Sequence, residues 1–194
     1  MVGSILVTGF VPFAHHERNI SQQVAEFIST EVEFDYKINT SILTVDQKGS
    51  REVSDRIHRG EEISAVLHLG FSENADEILL EKFARNRFQM KISDNSGRIE
   101  YSGEISSDKS IFQTNAPINI IDEHLEGISG IRWNDDAGGF VCNETYYRSL
   151  LAASVRKSPI VLFIHLPSED KIPFNKQAEI ICKVCNALES ANIL

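Results

Sequence analysis

Ile160-Val161-Leu162-Phe163-Ile164-His165-Leu166-Pro167 sets five consecutive apolar residues ahead of a histidine. A short continuous apolar run of this kind suits a strand buried on both faces, the habit of parallel sheets. Working outward, similar runs recur at Ile5 to Thr8, Ile38 to Val45 and Ala65 to Leu69. Between several of them lie segments of helical period. Val24, Phe27 and Ile28 give one apolar face, with Ser21 expected as N-cap. A more polar helix is expected at roughly Ser50 to Arg59, carrying Asp55, Arg56 and Arg59. Near the end, Ala178, Ile181, Cys182, Cys185 and Leu188 form one stripe opposite Lys176, Glu179 and Lys183, as in a closing amphipathic helix. Strands alternating with helices predict an α/β fold: a single domain over residues 1–194, with a mainly parallel twisted sheet covered by helices on both faces. Asp94 to Thr114, rich in Ser, Asp and Gly, breaks the rhythm and is expected as a surface excursion or hairpin.

Composition narrows the function classes. A net charge of -9 disfavours a phosphate backbone, and no Lys/Arg stripe interleaves with aromatics, so no nucleic-acid partner is expected. The opening Met1-Val2-Gly3-Ser4-Ile5-Leu6-Val7 has no basic region, and its apolar run stops at Thr8-Gly9, short of a signal or membrane span. Three cysteines, Cys142, Cys182 and Cys185, make no disulfide framework and fit a reducing compartment, which predicts a cytoplasmic protein with no membrane contact.

The sharpest local feature is Asp136-Ala137-Gly138-Gly139-Phe140-Val141-Cys142-Asn143, followed by helix formers from Glu144 to Ala153 with an apolar face at Leu150, Leu151 and Val155. A cysteine at a helix start meets the positive end of the dipole and unpaired backbone N–H groups, which favour a thiolate and can hold an oxyanion. The same pattern also suits a buried cysteine behind a glycine turn. His165, at the carboxyl end of its strand, sits where reacting groups gather in open α/β sheets. It can serve Cys142 as a base titrating near neutral pH, or bond a nearby carbonyl. A third group should fix the imidazole tautomer, and many acids qualify. Cys182 and Cys185 are read as core, not as a redox or zinc pair, and His15-His16 as solvated loop residues without a third ligand.

Four blocks, in order, resemble the pyroglutamyl peptidases, the pyrrolidone-carboxylate peptidases of class C15. Leu6-Val7-Thr8-Gly9-Phe10-Val11-Pro12-Phe13 with Asn19-Ile20-Ser21 is similar to the family's opening strand and Asn-Pro-Ser step. His68-Leu69-Gly70 leads on through Ile78, Glu81, Ala84 and Asn86, and Ala137 to Asn143 and Ile164 to Pro167 resemble the cysteine and histidine blocks. The resemblance implies a phosphorylase/hydrolase-like fold and the roles nucleophile, base and orienting acid for Cys142, His165 and Glu81. It implies removal of an N-terminal pyroglutamyl residue from small peptides with a blocked N-terminus, through a thioester and without metal or organic cofactor. It further implies a pocket lined by Phe10, Phe13, Ile92, Phe140 and Val141, and assembly as a dimer or tetramer. Two stretches depart from the family pattern. Gly70-Phe71-Ser72-Glu73-Asn74-Ala75 stands for Gly-Gln-Ala-Gly-Gly-Arg, which puts Phe71 at the substrate loop, and Lys91 stands for an arginine. These departures keep two other readings open: a hydrolase of another small N-terminal acyl group, and a binding protein on the same scaffold. A phosphorylase is a weaker alternative, since the cations a phosphate needs are not evident.

Overall fold

The computed structural model describes residues 4–108 and 111–192. The opening Met1 to Gly3, and Lys109-Ser110 within the expected excursion, lie outside them. The strands are β1 (Ser4–Phe10), β2 (Ile38–Leu43), β3 (Ile63–Phe71), β4 (Ile78–Glu81), β5 (Phe83–Arg85), β6 (Ile111–Gln113), β7 (Ile131–Asn134) and β8 (Ile160–Leu166). The helices are α1 (Ile20–Glu31), α2 (Gln47–His58), α3 (Ile118–His124), α4 (Val141–Arg156) and α5 (Phe174–Asn192).

Six strands form one sheet in the order β2-β1-β3-β8-β4-β7, and β5 and β6 pair separately. All neighbours in the large sheet run parallel except β4 and β8. The α/β fold read from the sequence is therefore the fold found, with one antiparallel seam added. Alternate residues of the central strands feed two cores, as a period of two requires. Leu67, Leu69, Leu162 and Ile164 join Val24, Ile28, Ile121, Ile181 and Cys185 from α1, α3 and α5 on one face. Leu6, Val66, Val161 and Phe163 join Val53, Ile57, Tyr146, Tyr147 and Leu150 from α2 and α4 on the other. No described helix is long and apolar enough to cross a membrane.

Element ends moved for identifiable reasons. Asn19, not Ser21, caps α1: its Oδ1 accepts from the Ser21 backbone N–H at 3.0 Å and from its hydroxyl at 2.8 Å. Ser21 Oγ instead accepts from Phe10 N at 3.0 Å, fastening the helix to the end of β1. Helix α2 starts before Ser50 because Asp46 accepts from Gly49 N at 2.8 Å. Val155 is 68% exposed, so it does not belong to the apolar face of α4, which is formed by Tyr146, Leu150 and Ala153. Helix α5 buries the expected stripe, although Cys182 is only half-buried. The Asp94 to Thr114 excursion is better anchored than a polar surface loop. Asp94 is 4% exposed and Arg98 bridges it to Glu144 in the first turn of α4, at 2.9 and 2.7 Å.

Candidate active site

His165, one residue from the end of β8, lies opposite Gly70 of β3 and Leu79 of β4. Residues opposite one another in an antiparallel pair share a face, so Leu79 and Glu81 stand on the same side as Phe163 and His165. Glu81 is thus diagonal to the imidazole, one pleat deeper in the sheet and fully buried. Its Oε1 lies 2.8 Å from His165 Nδ1. Its Oε2 accepts from Asn134 Nδ2, also at 2.8 Å, and Asn134 sits directly beside Glu81 on β7. Tyr146 of α4 donates its hydroxyl to the Glu81 carbonyl at 2.9 Å. The acid is therefore held at both carboxylate oxygens and at its backbone. Gly70 is needed opposite the histidine, because a Cβ there would stand 2.8 Å from the Phe163 ring and 3.0 Å from His165 Cδ2.

Cys142 is the second residue of α4. Gly138 takes φ 87°, in the region glycine enters without penalty, and turns the chain toward the helix start. Phe140, the N-cap residue, supplies no side-chain cap, so first-turn N–H groups remain available to a ligand. Asn143 secures this start from the other side: its amide accepts from Arg85 N at 2.9 Å and donates to the Arg85 and Arg87 carbonyls. With Nδ1 taken by Glu81, the ring's other nitrogen is left for Cys142, whose thiol acts on the same imidazole.

Burial pulls the His165 pKa down, but the hydrogen bonds to Cys142 and Glu81 and their charges outweigh it and push the group up to about 10. The sequence leads one to expect a base titrating near neutrality; here two acidic neighbours stabilise the imidazolium and favour a higher value. Cys185 is the opposite case, fully buried in the core with its thiol pushed up by desolvation and by Cys182. His68, in the second of the resembling blocks, is a core residue. It is bonded to Thr8 Oγ1 at 2.8 Å and Ser149 Oγ at 3.0 Å, with burial lowering its pKa to about 3, so it is neutral.

Beside Cys142 lies a small aromatic cleft lined by Phe10, Phe13, Asn19, Val45, Phe71 and Phe140. It gathers four of the residues expected to contact substrate. Val141, Lys91 and Ile92 are not among its lining: Val141 is 1% exposed in the core, Ile92 is 46% exposed, and Lys91 is exposed. Asn19 and Val45 were not foreseen as lining, nor was Asn134 as the partner of Glu81. Asn19 stands in a resembling block and so carried a signal. Asn134, ahead of the Asp135-Asp136 turn, carried none.

The family model for pyroglutamyl peptidases of class C15 matches residues 3–186. The chain belongs to the pyroglutamyl peptidase family. Among its relatives, a pyrrolidone-carboxylate peptidase of Pyrococcus furiosus is 27% identical over 167 residues, covering 84% of this chain and 80% of that protein. One from Thermococcus litoralis is 25% identical over 84% of this chain and 76% of its own length. The crystal structure of pyrrolidone carboxyl peptidase from Fervidobacterium islandicum AW-1 superposes with a TM-score of 0.86 at 28% identity, covering 96% of this chain and 98% of that one. A variant of the Pyrococcus furiosus enzyme gives 0.88 at 22% identity over 97% and 99% of the two chains, a likeness of fold.

Proposed function

We propose that this family member is an active cysteine omega-peptidase that removes N-terminal pyroglutamyl residues from small peptides. The observation that carries this reading is the bond of His165 to Glu81 at 2.8 Å, with the Cys142 thiol acting on the same imidazole from a helix start beside an aromatic cleft. In the first step the His165-paired thiolate attacks the carbonyl carbon of the pyroglutamyl residue. The carbonyl π electrons move to oxygen, where first-turn N–H groups of α4 stabilise the charge. Collapse breaks the C–N bond, and the imidazolium gives its proton to the departing amine. Water, deprotonated by the now neutral imidazole, then attacks the thioester and restores Cys142 with release of free pyroglutamic acid. Glu81 holds the productive tautomer throughout.

A flat, uncharged lactam matches a cleft of phenyl rings, since it has two ring faces to bury and no charge to desolvate. Phe71, in place of the family's glutamine, favours a second reading: a hydrolase of a less polar N-terminal acyl group with the same triad. Fluorogenic amides distinguish them. Hydrolysis of the pyroglutamyl amide, with alanyl and prolyl amides left intact, supports the first reading. Preference for either of the others supports the second, and binding of all three without turnover contradicts both.

A further inference from the structure

We propose that His15, His16 and Glu73 form a site for a divalent transition metal, Zn²⁺ foremost, at the mouth of the aromatic cleft, and that the bound cation restrains access to Cys142. Neighbouring side chains on an extended chain point apart. Here Ala14 takes φ 53° and His16 N donates to Phe13 O at 3.1 Å, a tight turn that brings the two imidazoles together with ring centroids 4.1 Å apart. The third group comes from a different loop. Glu73 lies in the segment between β3 and β4, with Oε1 3.7 Å from His15 Nε2 and Oε2 4.0 Å from His16 Nε2. One ligand atom from each of the three residues lies within 4.8 Å of the others.

Two imidazoles and a carboxylate, completed by water, form a donor set that zinc accepts readily, with ligand bonds of about 2.0–2.2 Å. Tetrahedral ligands at that range stand roughly 3.3 Å apart. Small side-chain rotations reach that spacing, and two of the three residues can make them, since the side chains of His15 and Glu73 are 74% and 60% exposed. His16 is the fixed member, 19% exposed and held edge-on against Phe71 at 5.0 Å and beside Phe13 at 5.5 Å. Both of those rings line the cleft. A cation at this point joins the loop after β1 to the loop after β3 across the cleft mouth. The contacts also account for Glu73, whose carboxylate turns to the histidines and is not among the cleft lining.

The site stands independently of the peptidase reading; only its effect on turnover rests on that reading. The test is titration of ZnCl₂ into metal-free Cys142→Ala protein, which lacks the catalytic thiol that would also take zinc. The expected result is one equivalent bound, with affinity falling about tenfold or more in His15→Ala and in Glu73→Gln. Equal affinity in all three proteins, or no binding at millimolar zinc, overturns the site. Circular dichroism checks that each variant is folded. In protein with Cys142 intact, zinc inhibition of turnover should weaken by a similar factor on His15→Ala. Inhibition that is unchanged by that substitution overturns the gating role while leaving the binding result to decide the site.

Discussion

At the scale of single residues, His165 sits between two groups that both favour its proton, and the pH behaviour follows from that. Loss of the proton as pH rises removes the imidazolium that pairs with the thiolate and protonates the leaving amine, so kcat/KM should fall on the alkaline side near pH 10. Glu81→Gln keeps an acceptor for the ring N–H but removes a charge that raises the pKa. Its alkaline limb should therefore move to lower pH, with a smaller loss of turnover than in His165→Ala. A pH profile whose limb stays in place would contradict the assignment of Glu81. Asn134 acts one step further out, through Glu81 Oε2. Asn134→Ala leaves that oxygen without its donor and should lower kcat/KM about 10- to 100-fold, from the value of a hydrogen bond to a charged group. As a positioning effect it should also shift the alkaline limb, which a general loss of folded protein would not do.

Among the elements, the start of α4 gathers most of the constraints. Glu144, with its side chain fully buried, accepts from Arg98 at 2.7 Å and from Arg148 at 2.8 Å, while Arg98 also holds Asp94. Substituting Arg98 by Met removes the charge shared by two buried carboxylates and should cost about 3 kcal/mol of stability. Chemical denaturation measures it, and an unchanged midpoint would show that Arg148 suffices. The sequence makes α4 legible through its glycine turn and helix formers, because those are local signals. It conceals the Arg98 bridge, since 46 residues separate the partners and their segment is rich in the Ser, Asp and Gly of a loop. The cap of α1 was displaced for a similar reason: Asn19 and Ser21 are both good caps, and only the bond from Phe10 to Ser21 separates their roles. Strands β4 and β7, four residues each, are too short for periodicity to single out.

For the whole molecule, the apolar runs around residues 5, 65 and 160 suffice to give the sheet centre, because burial on both faces leaves a continuous apolar signature. They do not give the order of the strands. The antiparallel placement of β4 against β8 is what puts Glu81 beneath His165, and it depends on contacts 84 residues apart. The positions of Cys142 and His165 are local readings, at a helix start and a strand end. Glu81 follows only from the family resemblance, since the sequence offers many acids. The cleft is divided in the same way: Phe10, Phe13, Phe71 and Phe140 meet there, whereas Lys91 and Ile92 stay outside it and exposed.

The most direct test of the central claim is the rate of release of a fluorophore from a pyroglutamyl amide by the natural protein and by Cys142→Ala, measured side by side with both confirmed as folded. Turnover by the natural protein and a fall on the order of 10⁴-fold or more in the variant is the predicted result. Equal rates from the two proteins, or no turnover by either, would contradict it.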